Sequence, residues 1–105
     1  MNPEQQRIAI AEACGWRLFS QFKNLWAPPR SVVEYDCDAR PLPNYPFDLN
    51  AMHDAEKVLK GGMRSTYDAE LTLICSRDYN FIWESTATQR AEAFLRTIGK
   101  WEESK

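Results

Sequence analysis

Aromatic and arginine side chains that could bind a nucleotide-like ligand are concentrated in one proline-rich stretch of the chain. Trp26, Arg30, Tyr35 and Arg40 all lie within residues 24–46. Aromatic rings stack on nucleobases, and arginine guanidinium groups bind phosphate through paired hydrogen bonds. These four residues are therefore our candidate ligand-binding site. The competing interpretation is that most aromatic side chains fill the core, because a small domain needs large apolar side chains there.

A second kind of chemistry would need a reactive thiol. Cys37 stands between Asp36 and Asp38, and neighbouring carboxylates disfavour the thiolate that acts as a nucleophile. His53 is the only histidine, and nothing in the sequence brings it near Cys37. We therefore predict a protein without catalytic residues. An enzyme that acts through Cys37 or His53 is the third of our functional hypotheses.

The sequence does not indicate a metal or cofactor site either. Structural zinc sites use four Cys or His ligands, often in close pairs, whereas this chain has three widely separated cysteines and one histidine. The acidic stretch around Asp36 and Asp38 lacks the glycine and the terminal glutamate of a calcium-binding loop. Glycine-rich phosphate-binding motifs are also absent from the sequence. We expect reduced thiols, no metal and no cofactor.

Length and composition predict one small globular domain that spans residues 1–105. The net charge is −2, with 27% charged and 44% apolar residues, which argues against nucleic-acid binding because such binding needs a basic surface. No apolar run approaches the length of a membrane span, and the first residues do not resemble a signal peptide. We expect a cytoplasmic protein that binds no membrane.

The clearest helix signal lies near the C-terminus. Thr86 can cap a helix over residues 87–98, Gln89 can close a capping box, and Gly99 suits the left-handed position after the last turn. We expect Trp101 to pack back over the helix. One apolar stripe follows helical spacing and comprises Ala87, Ala91, Phe94, Leu95 and Ile98.

Capping residues predict two further helices. Asn2 and Gln5 form a capping box for a helix over residues 3–14. Asp48 is the N-cap of a helix over residues 49–60. Both segments carry apolar residues at helical spacing, so each is expected to pack one face against the core.

Residues 65–75 fit two kinds of structure. Tyr67, Leu71 and Ile74 share one face of a helix, whereas the alternation of apolar residues from Leu71 to Cys75 fits a strand. Acidic residues within the segment favour the helix, because Asp and Glu are depleted in strands.

Aromatic-rich segments at residues 16–22 and 79–84 are predicted to be paired strands, with residues 31–35 beside them as a third strand. The stretch 24–46 is otherwise a long loop, and loops of that length are typically functional or mobile. The predicted fold class is α+β, a small two- to three-stranded antiparallel sheet packed against about four helices.

Three blocks of this sequence resemble a known group of proteins. They are Asn2-Pro-Glu-Gln-Gln-Arg-Ile-Ala-Ile-Ala-Glu-Ala-Cys-Gly-Trp16, Leu42-Pro-Asn-Tyr45 with Asp48-Leu-Asn-Ala-Met-His-Asp-Ala-Glu-Lys-Val-Leu59, and Ala87-Thr-Gln-Arg-Ala-Glu-Ala-Phe-Leu-Arg-Thr-Ile98. Together they resemble the small phage and prophage proteins of the phage "ABA sandwich" family. The resemblance covers about half of the chain and implies a layered α/β fold. It implies no catalytic residues, because the shared blocks are helix caps and apolar stripes.

A phage origin, which the resemblance implies, favours an accessory protein that acts by binding in the cytosol of the host cell. Our first hypothesis is a non-enzymatic protein that counters host defence, in its specific version by sequestering a nucleotide-derived immune signal. The alternative is a protein-binding module that inhibits or redirects a host protein. The sequence leaves homo-oligomerisation open.

Overall fold

Helix-capping residues determine where most of the regular elements begin. The structure is a computed structural model and describes residues 1–20, 25–27 and 41–102. These ranges contain four α-helices and a two-stranded antiparallel sheet, so the chain has the predicted α+β class. In chain order the elements are α1 (Pro3–Ala13), β1 (Arg17–Ser20), β2 (Leu25–Ala27), the 3₁₀-helix Tyr45–Phe47, α2 (Leu49–Glu56), α3 (Gly62–Arg77), the 3₁₀-helix Ile82–Glu84 and α4 (Ala87–Thr97).

Helix α4 lies at the centre of the core, where it packs against α1, α2, α3 and the 3₁₀-helix Tyr45–Phe47. Its predicted capping box is confirmed. The Thr86 hydroxyl accepts a hydrogen bond from the Gln89 N–H at 3.2 Å, and the Gln89 side chain accepts one from the Thr86 N–H at 2.9 Å. The predicted apolar stripe is buried, apart from half-buried Ile98. Burial of Phe94 alone stabilises the fold by about 1.5–3 kcal/mol.

The burial of α4 extends beyond the predicted stripe. Gln89, Glu92 and Ala93 are also buried, because the helix has neighbours on several sides. Trp101 follows the helix and packs half-buried against the core, as predicted. The Arg96 guanidinium lies 5.3 Å from the centre of the Trp101 ring, a cation–π distance.

Helix α1 begins with the predicted capping box, in which Asn2 and Gln5 each bond the backbone N–H of the other. Ile10 is fully buried and anchors the helix in the core. The helix ends at Ala13, and Gly15 then takes a positive φ of 99°, which glycine adopts without strain.

Helix α2 is shorter than predicted. The carboxylate of Asp48 caps it by accepting hydrogen bonds from the first free N–H groups, as expected. The helix ends at Glu56 instead of continuing to residue 60. The following turn directs Leu59 into the core, and Gly61, with φ at 59°, then leads into α3.

Residues 65–75 are helical, which confirms the preferred interpretation. Tyr67, Leu71 and Ile74 are buried on one face of α3, which packs against α4. Leu73 is 66% exposed, as expected for a helix residue on the opposite face. At 16 residues α3 is the longest of the described helices, and none of them has the length and hydropathy needed to cross a membrane.

The sheet pairs β1 with β2. Arg17 lies opposite Ala27, and Leu18 lies opposite Trp26. The predicted strand at residues 16–22 is therefore confirmed in part, but its partner was predicted wrongly. The predicted strand at 31–35 lies outside the described residues.

Residues 79–84 do not form the predicted strand. They form a turn that continues into the 3₁₀-helix Ile82–Glu84. The Glu84 carboxylate accepts a hydrogen bond from the Phe81 N–H at 3.1 Å, and the Asn80 side chain donates to the Glu84 carbonyl at 3.4 Å. These local hydrogen bonds replace those that a neighbouring strand would supply.

Candidate functional site

Of the four predicted ligand-binding residues, Trp26 lies in the described part of the chain. Its side chain is 6% exposed and belongs to the core, and its indole N–H has no acceptor among the described residues. In this position Trp26 presents little of its ring to a ligand. Arg30, Tyr35 and Arg40 lie outside the described residues, so the site as a whole stays a prediction.

A cleft of about 780 Å³ opens between the end of α1, the 3₁₀-helix Tyr45–Phe47 and α2. Small-molecule sites typically measure roughly 300–1,000 Å³, so a ligand of nucleotide size fits this volume. Aromatic and aliphatic side chains supply the apolar lining, which a flat ring can contact. These residues are Trp16, Pro43, Tyr45, Ala51, Ala55 and Val58.

The hydroxyl of Tyr45 forms hydrogen bonds with two other side chains that line the cleft, those of Trp16 and Cys14. Trp16 Nε1 donates a hydrogen bond to Tyr45 Oη at 3.1 Å, and the Cys14 thiol is hydrogen-bonded to the same hydroxyl. Burial raises the pKa of Cys14 to about 11, although the hydrogen bond from Tyr45 opposes the change. Burial also raises the pKa of Tyr45. Both groups are therefore protonated at neutral pH, and Cys14 is not a nucleophilic thiolate there.

Four charged residues, Asp48, Asp54, Lys57 and Lys60, also line the cleft. Lys57 Nζ donates to Asp54 Oδ1 at 3.1 Å, with both side chains largely exposed. The Asp48 carboxylate is engaged as the cap of α2. The negative charges of the two acids balance the positive charges of the two lysines. The cleft therefore suits a ligand of small net charge better than a polyphosphate.

A set of exposed aromatic side chains lies between α3 and α4. Tyr79, Phe81 and Trp83 are 97%, 61% and 75% exposed, so they do not fill the core. The rings of Phe81 and Trp83 are stacked, with centroids 4.5 Å apart and planes inclined by 6°. We call these three residues the aromatic surface. Together with Thr72 and Ser76 they line a shallow groove of about 440 Å³.

Tyr79 has a backbone conformation that favours glycine. Its φ is 61°, and no other non-glycine residue in the described ranges has a positive φ. Tyr79 follows α3 at the position that Gly15 and Gly99 occupy after α1 and α4, and the Asn80 N–H closes the turn onto the Cys75 carbonyl at 3.0 Å. A left-handed non-glycine residue costs roughly 1–2 kcal/mol. An almost fully exposed ring does not offset that cost by burial.

The described residues contain no other cluster poised for chemistry. The half-exposed His53 has its Nδ1 3.9 Å from Oε2 of Glu56, whose side chain is mostly buried. Cys75 is buried, and burial raises the pKa of its thiol. No group of His, Cys, Asp and Glu in the described ranges could hold a metal ion. Cys37 lies outside the described residues.

Sequence reasoning missed both the cleft and the exposure of the aromatic surface. The cleft unites residues that are far apart in the chain, such as Trp16 and Tyr45, so no local pattern predicts it. The aromatic surface did carry a local signal. No glycine follows the last turn of α3, where Asp78, Tyr79 and Asn80 form the turn instead.

No family model, no curated protein and no solved structure matches this chain. The resemblance to phage proteins therefore stays a prediction, and the cleft and the aromatic surface are the features that bear on function.

Proposed function

We propose that this protein is a non-enzymatic binding protein that holds a small, nucleotide-like ligand in the cleft between α1 and α2. The observation that carries the proposal is the cleft itself, which combines a volume of about 780 Å³ with the half-buried aromatic ring of Trp16. Tyr45 is 4% exposed and holds that ring through the hydrogen bond from Trp16 Nε1. A nucleobase can pack on such a lining, because stacking on an aromatic side chain contributes roughly 1–3 kcal/mol per base.

The charges that line the cleft narrow the ligand class. Lys57 and Lys60 can attract a phosphate, while Asp48 and Asp54 oppose a strongly anionic ligand. The proposed ligand therefore carries one or two negative charges, as in a cyclic or ADP-ribose-type nucleotide. Sequestration requires no bond to be made or broken, which accords with the protonated state of the half-buried Cys14 thiol.

The biological setting of the proposal comes from the sequence resemblance. A small phage accessory protein in the cytosol of the host cell could counter host defence by removing a nucleotide-derived immune signal. The blocks that carry the resemblance include residues 2–16 and 48–59, which supply part of the cleft lining. The phage origin, the cytosolic location and the absence of enzymatic activity are all parts of this proposal.

Isothermal titration calorimetry against a panel of cyclic and ADP-ribose nucleotides tests the proposal. We expect heat with at least one member of the panel, and weaker binding after Lys60→Glu, which reverses a charge in the cleft lining. Lys100→Glu is the matched control, because Lys100 is an exposed lysine outside the cleft. The absence of heat with every nucleotide would remove this proposal.

A host protein is the second candidate ligand. The observation that favours it is the aromatic surface, because exposed apolar patches commonly mark protein interaction sites. A pull-down from host lysate tests this version, with Trp83→Ser as the variant. A host protein that is retained equally by both forms would count against binding through Trp83.

A further inference from the structure

Helix α3 has a solvent-facing side that carries no charge. The positions opposite its buried face are occupied by Ser65, Thr66, Ala69, Thr72, Leu73 and Ser76, all of them exposed. The exposed side of a helix is normally rich in charged residues, and 27% of this chain is charged. At 100° per residue, Asp68, Glu70 and Arg77 fall on its two flanks instead, and Arg64 lies near the direction of buried Leu71. We call these six residues the uncharged face.

The aromatic surface extends the uncharged face at its C-terminal end. Thr72 and Ser76 share one groove with Phe81 and Trp83, so the two features form one continuous surface. From the exposed fractions, the three aromatic side chains present on the order of 450 Å² to solvent. That is more than half of the roughly 800 Å² that each partner contributes to a standard protein interface. The surface is therefore large enough to form the centre of a stable contact.

The shape of this surface is self-complementary. Bulky rings stand at the C-terminal end, while the N-terminal half offers the small side chains of Ser65, Thr66 and Ala69. A twofold axis near Leu73 would run two copies of α3 antiparallel, so that the rings of each copy cover the small residues of the other. The same axis would place the exposed Leu73 side chains of both copies against each other. A twofold contact of this kind uses one patch twice, as most homodimers do.

The charges on one flank of α3 are compatible with the same arrangement. Glu70 and Arg77 lie on this flank, about equally far on either side of Leu73. Arg77 forms ion pairs with Asp78 and Glu92 of its own chain, each at 3.0 Å. An antiparallel pair centred on Leu73 would bring Glu70 of each copy towards this arginine of the other, so no like charges would face each other there.

We infer that the uncharged face and the aromatic surface form the interface of a symmetric homodimer, with a second copy of this chain as the occupant. This interface lies on different residues from the proposed ligand cleft, so it goes beyond the proposed function. A heterologous protein would need an apolar surface only, whereas the bulky and small ends of this surface fit a second copy in antiparallel orientation.

Sedimentation equilibrium of the full chain over a dilution series tests the inference. We expect a monomer–dimer equilibrium whose dissociation constant rises about thirtyfold or more after Trp83→Ser, the loss typical of an interface hot spot. Ala69→Glu places a charge in the uncharged face and should give a monomer. Ala13→Glu is the matched control, because Ala13 is an exposed alanine at the end of α1, and this variant should dimerise like the wild type. Circular dichroism confirms that each variant is folded.

A cross-linking variant tests the position of the axis. Leu73→Cys should form a disulfide between two copies on mild oxidation, and the same variant with Ala69→Glu should not. A wild-type chain that stays monomeric throughout, or an Ala69→Glu variant that still dimerises, would overturn the inference. Either result would leave the nucleotide titration unaffected, so failure of the dimer and failure of the ligand proposal are separable. A monomer would also leave this surface free for a host protein.

Discussion

Arg90 of α4 and Glu56 of α2 form an ion pair in which Nη1 lies 2.8 Å from Oε1 and both side chains are mostly buried. The Tyr67 hydroxyl of α3 donates to the same carboxylate oxygen at 2.8 Å, and Arg90 Nε donates to Ser85 Oγ at 2.9 Å. One carboxylate thus connects three helices. Burial lowers the pKa of Arg90, but its interactions with Glu56 and Tyr67 outweigh that effect and raise it overall. The guanidinium therefore stays charged within the fold.

Removal of Arg90 should destabilise the protein strongly. Arg90→Met would leave the Glu56 carboxylate mostly buried without its counter-ion, so we expect the free energy of unfolding to fall by about 2–4 kcal/mol. Urea unfolding at one fixed protein concentration measures the change. Lys57→Met is the control, because it breaks an exposed pair with Asp54 and should cost less than about 1 kcal/mol. Equal losses for both variants would mean that solvent screens the Arg90 pair.

The Cys14 thiol should react slowly with alkylating agents until the pH is high. Its pKa is raised by burial from 9.0 to about 11 in the folded protein, and only the thiolate reacts readily. We expect the iodoacetamide rate at Cys14, followed by peptide mass spectrometry, to reach half its maximum near pH 11 in the folded chain. In urea the midpoint should move towards 9.0, the unshifted value. A folded-state midpoint equal to that in urea would contradict the half-buried position of the thiol.

The same pKa shift has a consequence for stability. Because the folded-state pKa is higher than the unfolded value, Cys14 contributes stability that is fully present below pH 9.0 and is lost as the pH rises through about 11. Between these two pH values the unfolded chain releases the thiol proton while the folded chain retains it, so a rise in pH favours the unfolded chain.

The hydrogen bond from Tyr45 lowers the Cys14 pKa, so Tyr45→Phe should move the alkylation midpoint to still higher pH.

Helix boundaries were predictable from the sequence because the interactions that set them are local. Thr86 and Gln89 stand three residues apart and bond each other's backbone N–H groups wherever the helix packs. The Asn2 cap follows the same logic. The early end of α2 was missed because it depends on tertiary packing, which draws Leu59 into the core after the helix has ended.

The candidate sites were less predictable from the sequence than the helix boundaries, as Phe81 and Trp26 show. Both residues are typical of strands, but the sequence pattern predicts a strand for Phe81 and a loop for Trp26. Whether an aromatic ring is buried depends on its neighbours in space, and Trp26 lies in the core whereas Phe81 is stacked on Trp83 in solvent. The Glu84 side chain also fixes Phe81 in a local turn, an interaction that composition alone does not reveal.

Replacement of Trp26 should reveal whether its main role is structural. Trp26→Ala removes a large core side chain, so we expect the free energy of unfolding to fall by about 3–5 kcal/mol. Trp83→Ala is the matched control, because its ring is largely exposed, and it should cost less than about 1 kcal/mol. Both variants are measured by urea unfolding in the Ala69→Glu background, which removes any contribution from dimerisation. Unchanged stability of Trp26→Ala would favour the ligand-binding role that the sequence predicts.

Replacement of Tyr79 by glycine should stabilise the monomer. Its φ of 61° is the conformation that Gly99 adopts after α4, at 75°, so Tyr79→Gly should raise the free energy of unfolding by about 1 kcal/mol in the Ala69→Glu background. Gly99→Ala is the reciprocal control. A Cβ at Gly99 would meet no atom within 4 Å. The expected loss of about 1 kcal/mol in the free energy of unfolding of Gly99→Ala therefore reflects backbone strain alone.

In the otherwise wild-type chain, Tyr79→Gly should at the same time weaken dimerisation, because the glycine variant lacks an exposed ring of the interface. A gain in stability together with a loss of association would mean that the tyrosine serves the contact between copies at the expense of the fold. A loss of stability would instead show that the ring makes contacts within its own chain.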